Sequence, residues 1–231
     1  MIFEDLVRLY EEKRKLYREE TYRHLSEIFR EAEGVHLRDW SNHPTKMGEH
    51  GQSWRSFKGH SLEKLILYVI RREVEELGLR VASGDKLEKT RSENLSFELS
   101  SVKRKLLVDY GEFGAHLPDA DLIIYKPTTF DIVAIISSKV TLRERIAETG
   151  YWKIKLSKDR VTERIRVLFV TLDEDRTLAV KKPAKKGRAI VEVDTDGSYV
   201  MSESPVQESP KVKMFGRFIS DLRELVEAYD K

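Results

Sequence analysis

The chain has 231 residues, 40% of them apolar and 35% charged, which is enough for one sizeable core and too apolar for a disordered segment. It has no cysteine, which excludes disulfides and thiolate metal sites, and its six histidines lack the spacing of a structural zinc site. A net charge of +2 says little about partners, so a nucleic-acid surface has to be a local patch. No run of about 18 apolar residues occurs, and the opening MIFEDLVRLYEEK does not read as a signal peptide, so a cytoplasmic protein with no membrane partner is expected. Abundant Glu, Lys and Arg without Cys also suits a heat-adapted, thermophilic protein.

Residues 2–33 read as one or two core-covering helices. Ile2, Phe3, Leu6, Val7 and Tyr10, then Leu16, Tyr17, Leu25, Ile28 and Phe29, recur at helical spacing, and Gly34 closes the segment. Residues 35–60 are polar, glycine-containing and aromatic. They read as a surface loop in which Trp40, His43, Lys46, His50, Arg55 and Lys58 are candidates for DNA contacts. Ser61 then caps a helix with Leu62, Leu65, Ile66, Val69, Ile70 and Leu77 on its apolar face. Glu63 stands on the edge of that face beside Ile66 and Ile70, where a carboxylate needs a partner because burying an unpaired charge is costly. Lys58 or Lys64 can supply one.

Residues 84–112 are ambiguous, with a basic cluster at 103–105 and a short strand signal at 106–110; Gly111 and Gly114 then turn the chain. Two apolar runs, 122–125 and 132–136, read as strands joined by a short turn through Pro127, Thr128 and Thr129. A turn centred near Phe130 folds the hairpin so that Asp119 and Asp121 return beside Ser137 and Lys139. Carboxylates beside an ammonium have a chemical use: the oxygens suit Mg²⁺, and the lysine can orient water or offset phosphate charge. A helix over about 142–155 follows, with Arg143 and Arg145 as candidate phosphate contacts and Glu144 and Glu148 facing one way. Residues 167–171 read as a strand parallel to 132–136, since a helix crosses between them. Residues 178–180 and 190–193 read as strands around a basic loop containing Lys181, Lys182, Lys185, Lys186 and Arg188, a candidate grip on a DNA backbone. Asp196-Gly197 marks a turn, Pro205 and Pro210 bracket a linker, and residues 215–229 read as a closing helix.

Pro118-Asp119-Ala120-Asp121 and Ser137-Ser138-Lys139, followed by Val140-Thr141-Leu142-Arg143-Glu144-Arg145 and then Tyr151-Trp152-Lys153, resemble the catalytic core of the PD-(D/E)xK nucleases, most closely the type II restriction endonucleases. The resemblance is close over about a sixth of the chain. It implies an α/β fold with a restriction-endonuclease-like core, a central mixed β-sheet flanked by helices. It implies one nuclease domain over 1–231, comprising a helical N-terminal segment (1–33), a catalytic hairpin and helix (117–155) and a β-rich region placed to contact DNA (178–201). It further implies Mg²⁺-dependent hydrolysis of double-stranded DNA at a short specific sequence, a C2 homodimer and no nucleotide cofactor. Asp119 or Asp121 would hold the metal and Lys139 would position the water. Ser137 departs from the motif, which has an acid there; Glu63, Glu144 and Glu148 are the candidates to replace it, Glu63 because the resembling nucleases often place a Glu on the preceding helix. The same core occurs in repair nucleases and Holliday-junction resolvases, and a non-catalytic DNA-binding protein can keep it.

Overall fold

Three long helices precede the first sheet strand in the computed structural model, which describes residues 1–42, 49–142 and 146–229. His43, Lys46, Arg143, Glu144 and Arg145 lie outside the described residues. The helices are α1 (Phe3–Tyr17), α2 (Leu25–Ser41) and α3 (His50–Glu76), with a 3-10 segment over Arg18–His24 between the first two. Leu6, Tyr10, Leu25, Ile28 and Phe29 are buried, as their spacing predicts. Two expectations are corrected. Gly34 does not end α2, which continues to Ser41 because Ala32 and His36 keep its inner face packed. Such packing outweighs the roughly 1 kcal/mol that glycine costs a helix. Nor does Ser61 cap a helix: it is buried inside α3, which starts at His50. The polar 35–60 stretch hides a core aromatic, Trp54, 6% exposed and edge-on to Phe29.

The sheet has six strands in the order β1–β4–β5–β6–β7–β8, with β1 (Arg80–Ser83), β4 (Leu122–Tyr125), β5 (Ile132–Lys139), β6 (Arg166–Thr171), β7 (Gly197–Val200) and β8 (Val212–Met214). β1, β4 and β5 pair antiparallel; β5 through β8 pair parallel, so the sheet is mixed and the expected parallel β5–β6 pairing holds. Leu122, Ile124 and Ile136 pack into one cluster with α1, α2, α3 and α8 (Phe218–Tyr229). Ile123, Tyr125 and Ile135 pack into a second with residues of α5 (Phe97–Leu106) and α6 (Ile146–Leu156). Successive strand residues point to opposite faces, so the two clusters are the two sides of one sheet. Among the described residues no helix is long and apolar enough to cross a membrane.

Other expectations change in detail. Helix α5 occupies the basic 103–105 cluster, where Lys105 pairs with Asp131 at 2.5 Å, and only β2 (Val108–Asp109) remains of the 106–110 strand signal, paired with β3 (Ala115–His116). Gly111 and Gly114, both at positive φ, turn that small ribbon as expected. Residues 178–180 are not a strand, and 190–193 belong to helix α7 (Lys186–Asp194). Ile and Val favour strands, but Arg188 and Glu192 pair one helical turn apart and Val191 is fully buried between them. Arg188 is itself fully buried, its guanidinium bonded to Glu192 and to the Leu178 and Gln207 carbonyls. It is therefore a core cation that joins α7 to two loops, and not a surface cation facing DNA.

Just beyond β6, Asp173 is fully buried and its carboxylate accepts the Thr177 and Leu178 amides. Burial pushes this carboxyl up to about 6 from its ordinary 3.8. A raised folded-state value favours the protonated form, so the stabilisation it brings is complete below about 4 and lost as pH rises through about 6. Asp173→Asn, which keeps an acceptor oxygen, should therefore gain on the wild type between those limits, by up to roughly 2 kcal/mol. Urea unfolding at stepped pH checks this; parallel curves for the two proteins would exclude it.

Candidate active site

The hairpin closes through Lys126 to Asp131, with Phe130 at φ 62 in the turn. Leu122 opposes Ile136, and the Asp121 amide donates to the Ile136 carbonyl at 2.9 Å, so the pairing begins at Asp121, immediately ahead of β4. Its Oδ2 accepts from the Ser138 amide, the Ser138 hydroxyl at 3.0 Å and the Lys139 ammonium at 3.1 Å. The side chains of Asp121 and Lys139 are 11% and 17% exposed. All three donors converge on one oxygen, and Oδ1 has no bonded partner among the described residues. Ser137 is buried and its hydroxyl donates to the Asp119 carbonyl at 3.4 Å. Asp119 itself is exposed, with no bonded partner for its carboxylate among the described residues.

Helix α3 brings the third group. Glu63 is half-buried and has no hydrogen-bond or ion-pair partner among the described residues. Loss of water, and then the charge on Asp121, pushes its carboxyl up to about 7; Lys139 and His60 pull the other way and Asp85 adds to the rise. Neither lysine that the sequence offered as a partner takes that role: Lys58 bridges to Glu174 at 2.6 Å, and Lys64 lies over the Phe3 ring. Two carboxylates thus stand near enough to influence each other, with the Lys139 ammonium bonded to one of them. That donor set, hard oxygens with a net negative charge, fits a divalent cation such as Mg²⁺.

The structure therefore brings together Glu63, Asp121 and Lys139. Glu148 is exposed in the first turn of α6 and is not bonded to Asp121 or Lys139. Arg55 is exposed on α3, and Lys181, Lys182, Lys185 and Lys186 are exposed, with Lys185 donating to the Asp175 carbonyl. Asp85, in the short helix α4 (Gly84–Lys89), is the neighbour that sequence reading missed. It reaches the site because β1 pairs with β4, a long-range register that no local pattern announces.

Comparison with known proteins bears on the family and the fold. Residues 98–224, more than half of the chain, match the family described as BsaWI restriction endonuclease type 2. A Methanocaldococcus jannaschii protein named as type II restriction enzyme MjaVIP is 36% identical over 215 residues, covering 87% of this chain and 93% of that one. A Helicobacter pylori protein named as type II restriction enzyme HpyAORF263P is 35% identical over 134 residues, covering 58% and 67% respectively. In fold the chain is similar to the restriction endonuclease AgeI in its DNA complex, with TM-score 0.56 and 16% identity over 86% of this chain and 74% of that one. A hairpin carrying Asp121 and Lys139 on a mixed sheet, a family match across it and a relative shared over nearly its whole length lead to one conclusion: the chain belongs to the BsaWI family of type II restriction endonucleases and is a DNA endonuclease.

Proposed function

We propose that the protein cuts double-stranded DNA at a short specific sequence in a Mg²⁺-dependent reaction carried by Glu63, Asp121 and Lys139. The observation that carries this reading is the unpartnered, half-buried Glu63 carboxylate beside Asp121. Bound between them, Mg²⁺ would supply Lewis acidity, lowering the pKa of water and offsetting charge on the phosphate. Ser138 fixes Asp121 through its amide and hydroxyl on Oδ2, which leaves Oδ1 without a bonded partner among the described residues. Lys139, held at 3.1 Å from Oδ2, is placed to orient the attacking water and to offset charge on the scissile phosphate. Asp119, two residues upstream and in solvent, is the weaker ligand candidate, and Glu148 a reserve.

A palindromic site cut on both strands implies a C2 homodimer, which sedimentation with and without DNA tests. The defining experiment is incubation with plasmid DNA and Mg²⁺. Discrete bands support the proposal, preference for branched substrates points to a resolvase, and retained binding with no cleavage to a binder that kept the fold.

The exposed lysines 181, 182, 185 and 186 and Arg55 are proposed to contact the backbone. Replacing Lys185 and Lys186 by Ala should flatten the dependence of log affinity on log salt by about 0.9 for each phosphate no longer neutralised. An unchanged slope in a salt series would make them solvated side chains only.

A further inference from the structure

Gly84 is buried where β1 runs out into α4, and its amide donates to the Asp121 carbonyl at 2.8 Å. From the other side the Asp121 amide donates to Ile136 at 2.9 Å. The backbone of Asp121 is thus held from both sides, by β5 and by the glycine that directly follows β1. A Cβ on Gly84 would overlap the Ala120 carbonyl oxygen outright and stand 2.8 Å from the Ala120 carbon. Both are backbone atoms, so no side-chain rotation can relieve the clash. The φ of Gly84 is not positive, so the requirement is for space rather than for an unusual backbone shape. By contrast, a Cβ on Gly59 or Gly78 would meet nothing within 4 Å.

We infer that Gly84 is a positioning residue for the cleavage reaction: its bare backbone lets β1 lie directly against the Ala120–Asp121 peptide and so sets where the Asp121 carboxylate stands. The inference rests on the catalytic reading of Asp121. Any side chain at Gly84 has to push Ala120 away, and Asp121 follows on the next bond. A displacement of about 1 Å at a reacting constellation costs about a hundredfold in rate. The contact lies on the β1 side of the hairpin, away from the exposed lysines proposed to hold the backbone, so DNA binding should be largely spared.

The test uses full-length wild type, Gly84→Ala and, as a reference, Asp121→Asn, each followed by thermal melting, DNA binding in Ca²⁺ and single-turnover cleavage over a Mg²⁺ series. Gly84→Ala should melt cooperatively and bind DNA like the wild type. Its cleavage should be about a hundredfold slower, with the half-saturating Mg²⁺ concentration shifted upward. A merely structural glycine would not move that Mg²⁺ requirement. A folded Gly84→Ala that cuts within about threefold of wild type at every Mg²⁺ concentration, while Asp121→Asn is dead, overturns this inference and leaves the catalytic reading standing. Asp121→Asn cutting normally overturns both. Should Gly84→Ala not fold, residue 84 is replaced by glycolic acid through suppression, which deletes the amide donor and adds no bulk. Cleavage about tenfold slower with an intact melt supports the clamp, and a normal rate excludes it.

Discussion

Lys139→Ala is expected to bind DNA and fail to cut it, with the rate down by about 10²–10³, the usual cost of losing a group that stabilises charge in the transition state. Lys139 is the only cation bonded to Asp121 among the described residues, and it sits at the open end of β5. Its removal leaves Asp121 with the Ser138 amide and hydroxyl, which fix the carboxylate but carry no charge to offer water or phosphate. Binding should survive, because a single cation is a small share of the charge that meets the phosphates. Plasmid cleavage in Mg²⁺ beside gel shift in Ca²⁺ reads both. A variant cutting near the wild-type rate removes Lys139 from the chemistry.

Glu63→Gln should lower cleavage by about 10–100-fold and raise the Mg²⁺ requirement, as expected when a group that orients a metal keeps its shape and loses its charge. Metal-free, the same variant should be at least as stable as the wild type. An amide costs less to half-bury beside Asp121 than a carboxylate with no partner. Loss of activity without loss of stability distinguishes a site residue from a packing residue. Normal cutting by Glu63→Gln at limiting Mg²⁺, with Glu148→Gln dead, would move the second carboxylate to α6. The two titrations, run side by side, decide the matter.

Glu63 and Lys139 were legible for a common reason: each breaks a local pattern. An acid on an apolar helix face and a lysine closing an Ile/Val strand are anomalies that a short window can see. The choice between Asp119 and Asp121 was not legible, because strand alternation puts both on one face. Only the register shows that pairing stops at Asp121 and releases Asp119 to solvent. The first half of α3 was hidden by polar composition, its burial resting on one tryptophan against a distant helix. Residues 190–193 misled through propensity: four residues of Ile, Val and Glu read as a strand until the Arg188–Glu192 pair and Val191 select the helix. Gly84 and Asp85 were invisible, since only the β1–β4 pairing brings them near.

β5, β6 and β7 run parallel, with Lys139 level with Thr171 and Thr171 level with Val200. Every segment that leaves these strands therefore emerges along one rim, the rim that holds Glu63 and Asp121. The segment after β6 carries the exposed lysines, and its Glu174 is tied back to α3 through Lys58. On the proposed reading the cutting groups are set in the sheet and in α3, while the lysines that would meet the DNA backbone stand on a connection beside them. Changes in that connection would then alter how tightly the protein grips DNA without moving the groups that cut.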